Sequence, residues 1–182
     1  MDEQTPDPQP EAPRGVRLGI DVGMARVGVA VSDPDGILAT PFKTLQRDAK
    51  KNSDIAVLVR QAQEREARWV FVGLPRTLRG GESSSTRMAV DYAQLLADRL
   101  AEAGQNAYVA LVDERLSTVT AHRALHEAGV DSREHRKVVD QVAAVNILQQ
   151  ALDMQKRHGA EVGTRVSARE FRGTVNDGGT QS

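Results

Sequence analysis

The stretch Arg17–Asp33, RLGIDVGMARVGVAVSD, sets a single aspartate inside an apolar run. Residues 16–23 and 25–33 alternate with a period of two and read as paired strands, with Gly23 to Arg26 as the turn. Val16, Leu18, Ile20 and Val22 fall on one face of the first strand, and Gly19, Asp21 and Gly23 on the other. A carboxylate removed from water is costly unless something neutralises it. The nearest bases, Arg17 and Arg26, stand four and five residues away. Asp21 therefore calls for a distant partner or a metal ion.

Outward from this hairpin, residues 37–45 (ILATPFKTL) read as a third strand, with Pro41 marking a sheet edge or bulge. An amphipathic helix follows over 54–66 (DIAVLVRQAQERE), then the continuously apolar strand RWVFVGLP, typical of a sheet covered on both faces. A second helix, SSSTRMAVDYAQLLADRLAEAG, runs from a serine cap to Gly104. Strand AYVALVDE precedes a helix over STVTAHRALHEAG and a last helix over HRKVVDQVAAVNILQQALDMQ. The order predicts an α/β fold, a mixed five-stranded sheet with helices on both faces. Residues 1–15, with four acids, one arginine and several prolines, read as a flexible arm. Residues 16–153 form the expected domain, and 154–182 a mostly disordered tail.

The chain of 182 residues suits one domain. Its formal net charge of −1 argues against binding by bulk positive charge. No apolar stretch is long enough to cross a bilayer, and the acidic N-terminus lacks the features of a secretory signal. A cytoplasmic protein without a membrane partner is expected. The absence of cysteine rules out disulfides and thiolate metal sites.

Two further acids have apolar settings. Glu114 ends the strand AYVALVDE, and ligand sites in α/β sheets lie beyond the carboxyl ends of strands. Its neighbour Asp113 points to the opposite face, and spacing alone does not choose between them. Asp140 shares a helix face with Ala144, Ile147 and Ala151. Three such acids repel one another unless a cation joins them. Hard oxygen ligands suit Mg²⁺ or Mn²⁺, and two such ions about 4 Å apart can clamp the attacking and leaving oxygens of a phosphodiester. Taken one at a time, each acid could equally have an ordinary hydrogen-bonding partner.

The segments GIDVGMARVGVAVSD, VGLPRTLRGG, DERLST and VVDQVAAVNILQ resemble, in this order, the motifs of the YqgF family, also called RuvX. Its members are described as Holliday junction resolvases and as nucleases that mature the 5′ end of 16S rRNA. The resemblance covers roughly residues 16–153. It implies a ribonuclease H-like fold and a metal-dependent endonuclease acting on structured RNA or branched DNA. It also implies that Asp21, Glu114 and Asp140 are the catalytic, metal-binding acids, with Glu114 chosen over Asp113. Two positions depart from the family pattern. Met24 stands where Thr or Ser is common, and RTLRGG replaces a loop that often carries Asn and Asp-Gly-Thr. Both leave the acids intact and bear on substrate contacts.

Arg76, Arg79 and Arg87 surround the start of the second helix, where Gly80, Gly81 and free backbone amides suit phosphate; a surface loop with an ordinary serine cap is the plain alternative. Arg115 could orient Glu114 or touch the scissile phosphate. Arg133, Arg136 and Lys137 could bind a duplex backbone or simply solvate a helix start. Aromatic residues make up 3% of the chain, which disfavours a stacking platform for single strands. His122 and His126 have the spacing of zinc ligands, but no third ligand follows, so they read as helix surface. A junction resolvase cuts two symmetric strands, which favours a homodimer; an RNA-trimming enzyme could act as a monomer. Two other readings are a nucleic-acid-binding module without catalysis and an ATPase lobe of the actin and sugar-kinase type. The latter needs two lobes, for which the chain is too short.

Overall fold

The hairpin around Asp21 forms as expected: β1 (Arg17–Val22) pairs antiparallel with β2 (Arg26–Ser32), and Asp21 lies opposite Gly28. These strands belong to a computed structural model that describes residues 13–75, 83–114 and 132–170. Strand β3 (Ala39–Gln46) pairs antiparallel with β2 at the sheet edge. Its register shifts between the partners of Val29 and Ala30, so Phe42 is the extra residue of a bulge beside Pro41. Helix α1 (Ser53–Glu64) leads to β4 (Trp69–Leu74), which lies parallel to β1. Helix α2 (Ser84–Glu102) leads to β5 (Tyr108–Asp113), parallel to β4. Ser83 caps α2 by accepting the amide of Thr86. Helix α3 (Ser132–His158) follows, and β6 (Thr164–Arg165) closes the sheet antiparallel to β5.

The strand order is β3-β2-β1-β4-β5-β6. The sheet thus has six strands, not the expected five. The sixth consists of Thr164 and Arg165, which lie in the stretch read as disordered tail. Both are exposed and pair only through their backbone, so no hydrophobic alternation announces them. Residues 159–170 have defined places: Val162 is buried, and Arg169 forms an ion pair with Asp98 at 2.7 Å. The helix expected over 117–129 lies outside the described residues.

Helices α1 and α2 cover one face of the sheet, packing Ile55, Leu58, Leu96 and Leu100 on Leu18, Ile20, Val70 and Val72. Helix α3 covers the other, packing Ala144, Ile147, Leu148 and Leu152 on Ala30, Trp69, Phe71 and Val112. This two-sided cover explains the unbroken apolar run of β4. The parity read from β1 holds. A Cβ at Gly19 would lie 2.5 Å from the Cβ of Leu148, so Gly19 faces α3, and Asp21 shares that face. Among the described residues, no helix is long and apolar enough to cross a membrane.

Two cations, the half-buried Arg47 and the buried Arg17, tie the layers together. Arg47 of the β3–α1 connection meets the fully buried carboxylate of Asp54 at 3.0 Å, and the Tyr92 hydroxyl of α2 donates to the same group at 2.8 Å. The guanidinium of Arg17 lies over the Trp69 ring and donates to the carbonyls of Pro13, Gly15 and Pro34 and to the side-chain oxygen of Gln155.

Candidate active site

Asp21 occupies a slot between two glycines. On one side the antiparallel register sets Gly28 opposite it. On the other, the parallel pairing of Ile20 with Val72 places Gly73 next along β4. Each glycine admits a different acid. A Cβ on Gly28 would collide with the backbone carbonyl of Asp140, so α3 rests directly on β2 there. A Cβ on Gly73 would lie 2.9 Å from Oε1 of Glu114, so that carboxylate leans across β4 towards β1. The amide of Glu114 donates to the Leu74 carbonyl at 3.0 Å, extending the β4–β5 ladder one residue and fixing the acid's starting point.

The electrostatics reflect this crowding. Burial, the charge of Glu114, a hydrogen bond to Glu114 and the charge of Asp140 together push the Asp21 carboxyl up to about 8. A hydrogen bond between two carboxyl groups needs a proton, and the Asp21–Glu114 pair shares one. Asp140 has its own counter-ion: Nε of Arg26 donates to its Oδ2 at 2.8 Å, with side-chain exposures of 32% for the arginine and 20% for the aspartate. Asp21 and Glu114 are in contact, whereas Asp140 bears on Asp21 through its charge and is held by Arg26. Among the described residues, no three His, Asp or Glu side chains stand close enough to hold one ion together.

Arg87 is exposed on the first turn of α2. Arg76, Arg79, Arg115, His122 and His126 lie outside the described residues. Sequence reading missed three contributors: Arg26, Gly28 and Gly73. Parity on β2 was a usable signal for the first two, because the residue facing Asp21 and its neighbour two positions earlier point to the same side. Gly73 carries no such signal alone, since its role depends on the β1–β4 register.

A family model described as "RuvX: Holliday junction resolvase" matches residues 15–154. The chain belongs to the RuvX family. Similar proteins include two named "Putative pre-16S rRNA nuclease". One, from Mycobacteroides abscessus, is 51% identical over 159 residues, covering 86% of this chain and 93% of that one. The other, from Nocardia farcinica, is 47% identical over 171 residues, covering 91% and 92%. Among solved structures, "T. thermophilus RuvC in complex with Holliday junction substrate" is similar with a TM-score of 0.49 and 17% identity, covering 81% of this chain and 98% of that chain. Membership of the RuvX family agrees with the resemblance carried by the four sequence motifs.

Proposed function

We propose that the protein is a metal-dependent endonuclease that hydrolyses phosphodiester bonds in structured nucleic acid, with Asp21, Glu114 and Asp140 as its catalytic acids. The observation that carries this reading is the crowding at Asp21, where two further acids bear on one carboxyl at the carboxyl ends of β1 and β5. Such a cluster can ionise all three of its acids together only beside a cation. The donor set, carboxylate oxygens alone, fits a hard divalent ion such as Mg²⁺ or Mn²⁺. Asp21, Glu114 and Asp140 would hold it once the side chain of Asp140 leaves Arg26. When bound, such an ion supplies Lewis-acid polarisation of a phosphoryl oxygen and a nucleophilic water at neutral pH.

The chain's own residues would do the rest. Gly28 lets the α3 backbone, and Gly73 the Glu114 carboxylate, come close to Asp21, so the acids can approach a backbone phosphate together. Arg76, Arg79, Arg87 and Arg115 would hold flanking phosphates, helped by the N-terminal end of α2. The names of the relatives support precursor 16S rRNA as the substrate; processing at its 5′ end, in the cytoplasm expected from the sequence, is what the resemblance implies. The family description supports the alternative of a Holliday junction, cut by a homodimer.

The deciding experiment sets precursor rRNA beside branched DNA, with Mn²⁺ or Mg²⁺, for the wild type and Asp21→Asn. Cleavage of the RNA by the wild type alone is the expected result. Cleavage only of the junction transfers the substrate to DNA. No cleavage of either, or equal cleavage by the variant, overturns the reading.

A further inference from the structure

Arg26 and Asp140 form the one ion pair in which a proposed catalytic acid takes part among the described residues. The contact runs through a single guanidinium nitrogen, Nε to Oδ2 at 2.8 Å. The two partners differ in freedom. Asp140 belongs to a helix whose backbone is pressed onto Gly28, so its Cα cannot retreat from the sheet. Arg26 opens β2 at the edge of the β1–β2 turn, beside Met24, which is 87% exposed. Its long side chain is a third exposed and has solvent to move into. Gly28, beneath Asp140, is also the residue opposite Asp21. A rotation of the Asp140 side chain away from Arg26 therefore has Asp21 one strand away.

We propose that Arg26 is a displaceable counter-ion. It holds Asp140 while the acid cluster lacks its cation, competes with that cation for the carboxylate, and is released to the rim of the site when the cation binds. Arg26 is thus a positioning residue, acting through Asp140. It keeps the third acid oriented without a metal, and it sets the threshold for metal uptake. Once released, its guanidinium lies at the mouth of the site with its donors open to a phosphate oxygen, a group it matches well. This inference rests on the metal-dependent reading of the acid cluster.

The test is calorimetric titration of Mn²⁺ alone into the wild type, Arg26→Gln and Arg26→Lys, with melting curves to establish folding. Removing a competing cation a few ångströms from the ligand should tighten Mn²⁺ binding by about tenfold in Arg26→Gln. Arg26→Lys, which keeps the charge, should stay within about threefold of the wild type. At saturating Mn²⁺, Arg26→Gln should cleave more slowly despite its tighter metal binding, a split that a purely structural arginine would not produce. Unchanged or weaker Mn²⁺ binding in a folded Arg26→Gln overturns the counter-ion role. Should Arg26→Gln fail to fold, Mn²⁺ binding by Arg26→Lys more than tenfold away from the wild type does the same. If the wild type takes up no Mn²⁺, the metal-dependent reading fails first and the counter-ion role with it.

Discussion

The backbone carbonyl of Asp140 occupies the space where a side chain on Gly28 would begin. Helix and sheet are therefore in direct backbone contact at the point where the third acid enters the site. Gly28→Ala must push α3 outward, because the obstructing atom is backbone and cannot rotate aside. The expected cost is roughly 1–3 kcal/mol of stability, as for other overpacked cores. Cleavage below the melting range should fall by a larger factor than stability alone explains, since Asp140 moves with the helix. Urea melts paired with cleavage rates would check this. A variant with normal activity would show that the helix position is not critical.

The raised Asp21 carboxyl links stability to pH in a defined direction. Its folded value of about 8 lies above the ordinary value of 3.8, so between these limits the folded state binds more protons than the unfolded state. The contribution of this group is fully present below about pH 4, is lost as pH rises towards 8, and stays lost above it. The metal-free wild type should thus lose stability from this group between pH 5 and pH 8, whereas Asp21→Asn should show a flatter profile and melt higher at pH 8. Asp140→Asn should behave differently. It leaves Arg26 without its partner at a partly exposed site and should cost up to about 1 kcal/mol. Melting curves at several pH values in a chelator would separate the two.

The Arg47–Asp54–Tyr92 cluster is structural, lying on the α1–α2 face away from the acids. Asp54→Ala removes the buried acceptor of both partners and should cost about 3–5 kcal/mol. Tyr92→Phe removes one donor and should cost on the order of 1–2 kcal/mol. Both should keep wild-type cleavage well below their melting temperatures. Loss of cleavage by folded Tyr92→Phe would point to a functional link between the two faces.

Ending the chain after Ala160 removes β6, the buried Val162 and the Arg169–Asp98 pair. Burial of Val162 alone is worth roughly 1.5–3 kcal/mol. The truncated protein should melt at a lower temperature but bind Mn²⁺ with normal affinity, because β6 pairs with Ala110 and Leu111 rather than with the acid end of β5. Unaltered thermal stability would show that this edge strand contributes nothing.

What the sequence disclosed follows from how each element is stabilised. The β1–β2 hairpin, β4 and α2 were legible because burial writes a period of two or 3.6 into the residues. Asp21 stood out because it interrupts such a pattern. Strand β6 was not legible, since exposed Thr164 and Arg165 are held by backbone bonds that leave no mark on residue choice. Arg26 was noted only as a base five residues from Asp21; its partner is Asp140, and only the packing of α3 on β2 brings them together. The place of Gly28 and Gly73 beside Asp21 is set by the strand register.

Arg17 has a consequence for how the molecule comes apart. Its guanidinium joins the carbonyls of Pro13 and Gly15, the Pro34 turn and Gln155, a residue 138 positions away. Gln155 in turn donates to the Ala160 carbonyl, just past the end of α3. The first strand and the last helix are thus stitched at one point, and neither can fray while the other stays in place. Amide protons of β1 and of the C-terminal half of α3 should exchange with solvent as one cooperative unit, at the rate of global opening. A chain joined across 138 positions in this way must also close a very long loop before its interior is complete, which favours slow folding.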